Sequence, residues 1–127
     1  NIELEIILKD PDLILEADIN LVEQVLINLL VNAIEAVKEV TSPNISLSSD
    51  ITNNGKTIVK VTDNGTGISN EVLEQIFIPF FSTKKTGGGI GLTLCKQIMM
   101  LHHGNIQVQS IINEGTVFLL YFPKVCR

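Results

Sequence analysis

The sequence predicts an α+β fold: a two-layer α/β sandwich in which a mixed five-stranded sheet carries about three helices on one face. Three observations lead there. Extended stretches with apolar alternation or β-branched residues occur near the start, in the middle and at the end of the chain. Between them lie one long apolar run with helical spacing and a shorter one opened by glycines. The connections carry turn chemistry rather than repeats, low-complexity tracts or long linkers.

At 127 residues, 45% hydrophobic and 18% charged, the chain suits a single domain with one core and is unlike a disordered segment. The net charge of −5 and the scattering of Lys and Arg, apart from Lys84-Lys85, argue against a nucleic-acid surface. Cys95 and Cys126 are too few for a disulfide framework; Cys95 falls in a helical stretch and reads as a packed, reduced thiol. No apolar run approaches the roughly 18–20 residues that cross a bilayer, and no signal-peptide pattern is present. The chain opens at Asn1 directly into strand-like sequence and reads as a domain cut from a longer protein.

In order, Ile2-Glu3-Leu4-Glu5-Ile6 alternates as a half-buried strand does, and Leu13-Ile14-Leu15 reads as a short second strand after the Asp10-Pro11-Asp12 turn. A helix is predicted over about 19–39, capped by Asp18 or Asn20, with Asn20 and Glu23 at capping-box spacing. Strands near 45–51 and 57–62 flank Asn53-Asn54-Gly55, a hairpin signal. Ser69 reads as the cap of a short helix reaching about Ile76. A helix over about 91–102 ends at His102-His103-Gly104, where cationic character suits the helix dipole and Gly104 suits a C-cap. Strands over 105–111 and 116–122 close the chain.

The long helix raises the functional question. Asparagine is a mediocre helix former, yet Asn28 and Asn32 lie one turn apart in a run of Val, Leu, Ile and Ala. At 100° per residue, Gln24, Asn28, Asn32 and Glu35 share one narrow stripe. A thin line of amides fits a helix buried in protein that faces a polar cavity along one edge; amides that cap loops or face water fit it as well.

Two further motifs carry chemistry. Asp63-Asn64-Gly65-Thr66-Gly67 follows a strand. Its aspartate can accept hydrogen bonds from a ligand amine, and Gly65 and Gly67 allow the backbone to approach a flat ring; an ordinary Asx turn is the alternative. Gly87-Gly88-Gly89-Ile90-Gly91-Leu92 opens a helix, where exposed N–H groups and the positive dipole end suit phosphate oxygens. It has neither the Gly-Lys-Ser/Thr of a P-loop nor the context of a dinucleotide fingerprint; a mobile hinge is the alternative.

Taken together, Asn28-Leu29-Leu30-Val31-Asn32-Ala33, Asp63-Asn64-Gly65-Thr66-Gly67, Phe77-Ile78-Pro79-Phe80-Phe81 and Gly89-Ile90-Gly91-Leu92 occur in that order. In this the sequence resembles the catalytic and ATP-binding domain of bacterial two-component sensor histidine kinases, within the GHKL ATPase superfamily. Phe80-Phe81-Ser82-Thr83-Lys84 is similar to the short-lid, nitrogen-regulator type. Glu114-Gly115-Thr116-Val117-Phe118, with Phe122-Pro123, resembles the family's closing strand. The resemblance covers nearly all of residues 1–127. Two departures stand out: the run 87–89 is all glycine, and Asn113-Glu114-Gly115-Thr116 lacks one usual glycine.

The resemblance implies ATP and Mg2+ as ligands. Asn32 would offer its amide oxygen to Mg2+, with Asn28 one turn earlier placing a phosphate or a metal-bound water. Asp63 would take the adenine amine, with Gly65, Gly67 and Ile68 shaping the base pocket and Thr116 supporting that end. Phe77 and Phe80 would anchor the lid, Lys84 would reach the phosphates, and Gly89, Gly91 and Leu92 would present N–H groups to them.

Hydrolysing members of the superfamily carry a Glu where Asn28 stands, and an amide cannot act as that base. The implied reaction is therefore transfer of the γ-phosphoryl to a histidine on an upstream dimerisation and phosphotransfer domain, with Asn28, Asn32 and Lys84 as the catalytic set. A response-regulator receiver domain would be the downstream partner. The domain would be cytoplasmic, outside the membrane, and would bind no nucleic acid. The alternatives are a GHKL-type ATP hydrolase and a non-catalytic nucleotide-sensing module.

Overall fold

The computed structural model describes residues 2–9, 17–78 and 89–124. Its elements are β1 (Glu3–Leu8), α1 (Ile19–Ala36), β2 (Asn44–Ile51), β3 (Thr57–Asp63), α2 (Asn70–Leu73), α3 (Gly89–Leu101), β4 (Asn105–Ile111) and β5 (Gly115–Phe122). The strands form one five-stranded sheet in the order β1-β2-β3-β5-β4. β1 runs parallel to β2, and every other pairing is antiparallel. The expected mixed sheet with three helices is what forms. The expected strand at 13–15 lies outside the described residues.

Period-two alternation decides which sheet face is covered. Ile45, Val61, Phe118, Phe122, Leu120 and Ile106 are buried and share one face through the strand registers. Val25, Leu29, Ala33 and Val37 from the α1 segment and Cys95, Ile98 and Met99 from α3 join them in a single core cluster. Val72 and Leu73 of α2 pack against the same cluster, so all three helices lie on that face.

By length and composition α1 passes as a membrane-spanning helix, contrary to the expectation that no apolar run approaches that length. Val25, Leu29 and Ala33 seat this helix against the sheet and α3, while its outward side mixes polar residues such as Asn20 and Glu23 with exposed Ile27, Val31 and Ile34. α1 also ends at Ala36, with Val37 as its C-cap, short of the expected residue 39.

The cap of α1 is Asp18. Its Oδ1 accepts from Asn20 N at 3.0 Å and Leu21 N at 3.2 Å. Asn20 therefore lies inside the first turn, and the expected Asn20–Glu23 capping box does not form. At α2 the expected cap is present, Ser69 Oγ accepting from Val72 N, but the helix is a single turn.

α3 begins at Gly89, earlier than expected, and ends in a pair of reverse bonds: Gly104 N donates to Met99 O at 2.9 Å and His103 N to Met100 O at 3.0 Å. This is a Schellman closure. Its left-handed residue is His103, at φ 59, where Gly104 was expected. His102 acts through hydrogen bonds rather than charge. Its Nδ1 lies 2.8 Å from Ile98 O and its Nε2 accepts from Asp18 N at 3.0 Å, a combination open to the neutral ring protonated on Nδ1. The end of α3 is thereby tied to the start of α1.

Replacing Asp18 with Ala is expected to cost about 1 kcal/mol of stability, and Asn20→Ala only a few tenths of a kcal/mol, read from urea unfolding midpoints. Equal losses would contradict the assignment of the cap.

Candidate functional site

The amide stripe faces α3. Asn28 Nδ2 donates to Gly91 O at 3.3 Å and approaches Cys95 Sγ at 3.8 Å, while Asn28 Oδ1 accepts from Gln24 Nε2 at 3.4 Å. Two expected residues, Asn28 and Gly91, thus meet directly across the gap between helices. Asn32 is half-buried one turn on, and its side chain makes no hydrogen bond among the described residues. Glu35, at the end of the stripe, pairs with Lys38 at 3.0 Å. Leu92 is half-buried and packs against the core.

Cys95 is fully buried behind Asn28 and donates to Val25 O at 3.9 Å. Burial pushes its thiol up to about 11, so it is a packing group, as expected from the sequence. In the native chain at pH 8, iodoacetamide is expected to leave the Cys95 peptide unmodified, since about one thiol in a thousand is ionised. Unfolding in urea should expose it to complete modification, as read by mass spectrometry.

A second cluster forms where β3 ends. Asp63 is buried and stands opposite Thr116 in the β3–β5 register, also buried. Asp63 Oδ1 accepts from Gly65 N at 2.8 Å, so the Asx turn exists and holds the carboxylate in place. Asn64 turns the other way. Its Oδ1 accepts from Asn44 N at 2.8 Å and its Nδ2 donates to Ser42 O at 2.8 Å, tying the loop to the start of β2. Thr66 N then donates to Ala36 O at 3.2 Å, and Thr66 O accepts from Asn113 N at 2.7 Å.

The glycines here are steric necessities. A Cβ on Gly65 would lie 2.5 Å from Ala36 O, and Gly67 has φ +76 with Ile111 O 2.3 Å from a built Cβ. The loop is clamped between the end of α1 and the β4–β5 turn. In that turn Asn113 takes φ 66, a left-handed conformation that asparagine tolerates better than most residues. This accounts for the missing glycine of the closing motif.

Sequence reading did not single out Ser110. Its Oγ accepts from Ile68 N at 2.7 Å, donates to Gly115 O at 3.0 Å and lies 2.8 Å from Thr116 Oγ1. Nor did it find Thr93, whose hydroxyl donates to Phe77 O at 3.1 Å, or Lys96, whose Nζ sits 5.5 Å from the Phe77 ring centroid. Phe77, expected to anchor the following segment, is thus fixed to α3. Phe80 and Lys84 lie outside the described residues, as do Gly87 and Gly88.

The two clusters lie along one helix. Asn28 and Ala36 are eight residues apart on α1, about 12 Å along its axis, with Asn32 between them. That separation is on the scale of a nucleotide from base to terminal phosphate.

The comparisons agree. Residues 17–125 match the histidine kinase-, DNA gyrase B- and HSP90-like ATPase family, and the chain belongs to it. It is 36% identical over 124 residues to sporulation kinase D of Bacillus subtilis, covering 97% of this chain and 24% of that protein. It is 39% identical over 113 residues to the sensor histidine kinase ZraS of Salmonella typhimurium, covering 89% of this chain and 24% of that protein. The chain thus spans about a quarter of the length of these relatives. The solved catalytic domain of the histidine kinase ThkA superposes with a TM-score of 0.84 at 40% identity, covering 97% of this chain and 79% of that one. ThkA in complex with the response regulator TrrA matches at 36% identity and a TM-score of 0.79, covering 98% of this chain and 34% of that one.

Burial raises the Asp63 carboxyl above its ordinary range, opposed by the N–H groups of Gly65 and Thr116. The folded state therefore holds an extra proton between the ordinary value of 3.8 and the raised one. The associated stabilisation is present below that window and lost as pH rises through it. Urea unfolding at a series of pH values is expected to show wild-type stability falling relative to Asp63→Asn across the window and a constant difference above it. A pH-independent difference would contradict burial as the cause.

Proposed function

We propose that the chain is the catalytic and ATP-binding domain of a sensor histidine kinase, one domain of a longer protein. It would transfer the γ-phosphoryl of ATP to a histidine on an upstream dimerisation and phosphotransfer domain. The observation that carries this reading is the Asn28–Gly91 contact, which sets the amide edge of α1 against the first turn of α3. Phosphates lying there would meet Asn28 and Asn32 on one side and the N–H groups of Gly89, Gly91 and Leu92, at the positive end of α3, on the other.

The donor set fits Mg2+. Asn32 offers one neutral amide oxygen without a competing hydrogen bond among the described residues, which suits a hard cation whose remaining ligands are phosphate oxygens and water. When bound, the ion would neutralise charge on the phosphates. Asp63 would accept from the adenine amine, with Thr116 beside it and Gly65, Gly67 and Ile68 as the wall. Phe80 would help anchor the lid and Lys84 would bring a positive charge to the γ-phosphoryl. The chain's own contribution is positioning and electrostatic stabilisation.

Asn28 supports transfer over hydrolysis. A carboxamide is not basic enough to take a proton from water, and here its nitrogen donates to Gly91 while its oxygen accepts from Gln24. The partner chemistry is a histidine nucleophile in the same protein and a receiver domain that takes the phosphoryl group from it. Localisation of this domain in the cytoplasm belongs to the same proposal.

In the full-length protein, Asn32→Ala and Asp63→Ala are each expected to lower labelling of that histidine by radioactive γ-phosphoryl ATP at least a hundredfold. Wild-type labelling by either variant would overturn the site assignment. Steady phosphate release by the isolated chain without an acceptor would favour the hydrolase instead. ATP binding without transfer in the full-length protein would favour a nucleotide sensor.

A further inference from the structure

We propose that Ser110 is a positioning residue that sets the direction of the Thr116 hydroxyl proton, and thereby favours 6-amino over 6-oxo purines at the base end of the site. The proposal rests on reading Asp63 and Thr116 as that base end. Ser110, Thr116 and Asp63 face the same side of the sheet, side by side on β4, β5 and β3.

A serine hydroxyl has one proton and two lone pairs, and Ser110 Oγ has three neighbours. Ile68 N–H donates to it at 2.7 Å and occupies one lone pair. Gly115 O, 3.0 Å away, has no proton to give, so the Ser110 proton goes there. The second lone pair then takes the proton of Thr116, whose Oγ1 lies 2.8 Å away. The opposite assignment, Ser110 donating to Thr116, would leave two oxygens facing each other at the Gly115 contact without a proton between them. One arrangement therefore satisfies all three neighbours.

Thr116 consequently commits its proton to Ser110 and presents only lone pairs toward the base end. The Asp63 carboxylate beside it also accepts. A pair of acceptors selects a donor, directly or through one water, and the exocyclic amine of a 6-amino purine is such a donor. A 6-oxo purine brings an acceptor to the same place. Without Ser110, the Thr116 hydroxyl is free to rotate and donate to that oxygen.

The test measures ADP and inosine diphosphate binding to the chain by displacement of a fluorescent trinitrophenyl ATP analogue, for wild type, Ser110→Ala, Ser110→Thr, Thr116→Val and Ser110→Ala with Thr116→Val. Wild type should prefer ADP. Ser110→Ala should reduce the ADP-to-inosine-diphosphate affinity ratio about tenfold, the scale of one neutral hydrogen bond. Ser110→Thr, which keeps the hydroxyl, should hold the ratio within about twofold of wild type. In the Thr116→Val background, removing Ser110 should leave the ratio unchanged. An unaltered ratio in Ser110→Ala overturns the proposal even if both affinities fall, because a merely structural role predicts that uniform loss. A further change of ratio in the Thr116→Val background overturns it too. Should Ser110→Ala not fold, Ser110→Cys, whose thiol is a poor acceptor, carries the same expectation and the same refutation. Failure of wild type to bind either nucleotide is a separate result that removes the base site itself.

Discussion

The arrangement of this molecule depends on how α1 is rotated about its own axis. Val25, Leu29 and Ala33 have almost no solvent exposure and seat the helix on the sheet and α3. Each asparagine precedes one of these residues, Asn28 before Leu29 and Asn32 before Ala33, so each amide lies about 100° around the helix from the buried side chain that follows it. Burial of several aliphatic side chains at roughly 1.5–3 kcal/mol each therefore sets the direction of two polar groups that contribute little to that burial. A different seating of α1 would swing Asn28 away from Gly91 and leave the stripe without a facing wall.

The second constraint is the tight path of the Asp63–Gly67 loop. It passes between the carbonyl end of α1 and the β4–β5 turn, receiving or giving backbone bonds on both sides. The residues of the motif divide their tasks accordingly. Asn64 and Thr66 fasten the loop, Gly65 and Gly67 make room for neighbouring carbonyls, and Asp63 is left at the end of a central strand with a buried carboxyl. Burial there works against the charged form. In the proposed function, ligand recognition is what keeps a carboxylate in such a place, a common compromise at functional sites.

Much of this was legible along the chain because it rests on local spacing. The amide stripe, the Asn53-Asn54-Gly55 hairpin turn, Ser69 as a cap and the strand-end aspartate each need only a few neighbouring residues to be recognised. The features left open or misread are those where two local solutions compete. Asp18 and Asn20 are both good caps, and the Asp18–His102 contact joins residues at opposite ends of the sequence. At the end of α3, glycine preference pointed to Gly104, but the closure places the left-handed conformation one residue earlier, at His103. Ser110 carried no signal, since a serine in an edge strand is ordinary until Ile68, Gly115 and Thr116 converge on it.

By itself the sequence determined the inventory: one α+β layer, an asparagine-bearing core helix, a glycine-flanked aspartate and a glycine-opened last helix. Those follow from periodicity and turn chemistry, which act over one or two turns of chain. Only the tertiary structure decided which of these groups meet. The pairing of Asn28 with Gly91, of Asp63 with Thr116 and of Ser110 with Ile68, Gly115 and Thr116 comes from strand register and helix packing. Such contacts are set by the simultaneous burial of side chains distant in sequence, so no local pattern encodes them.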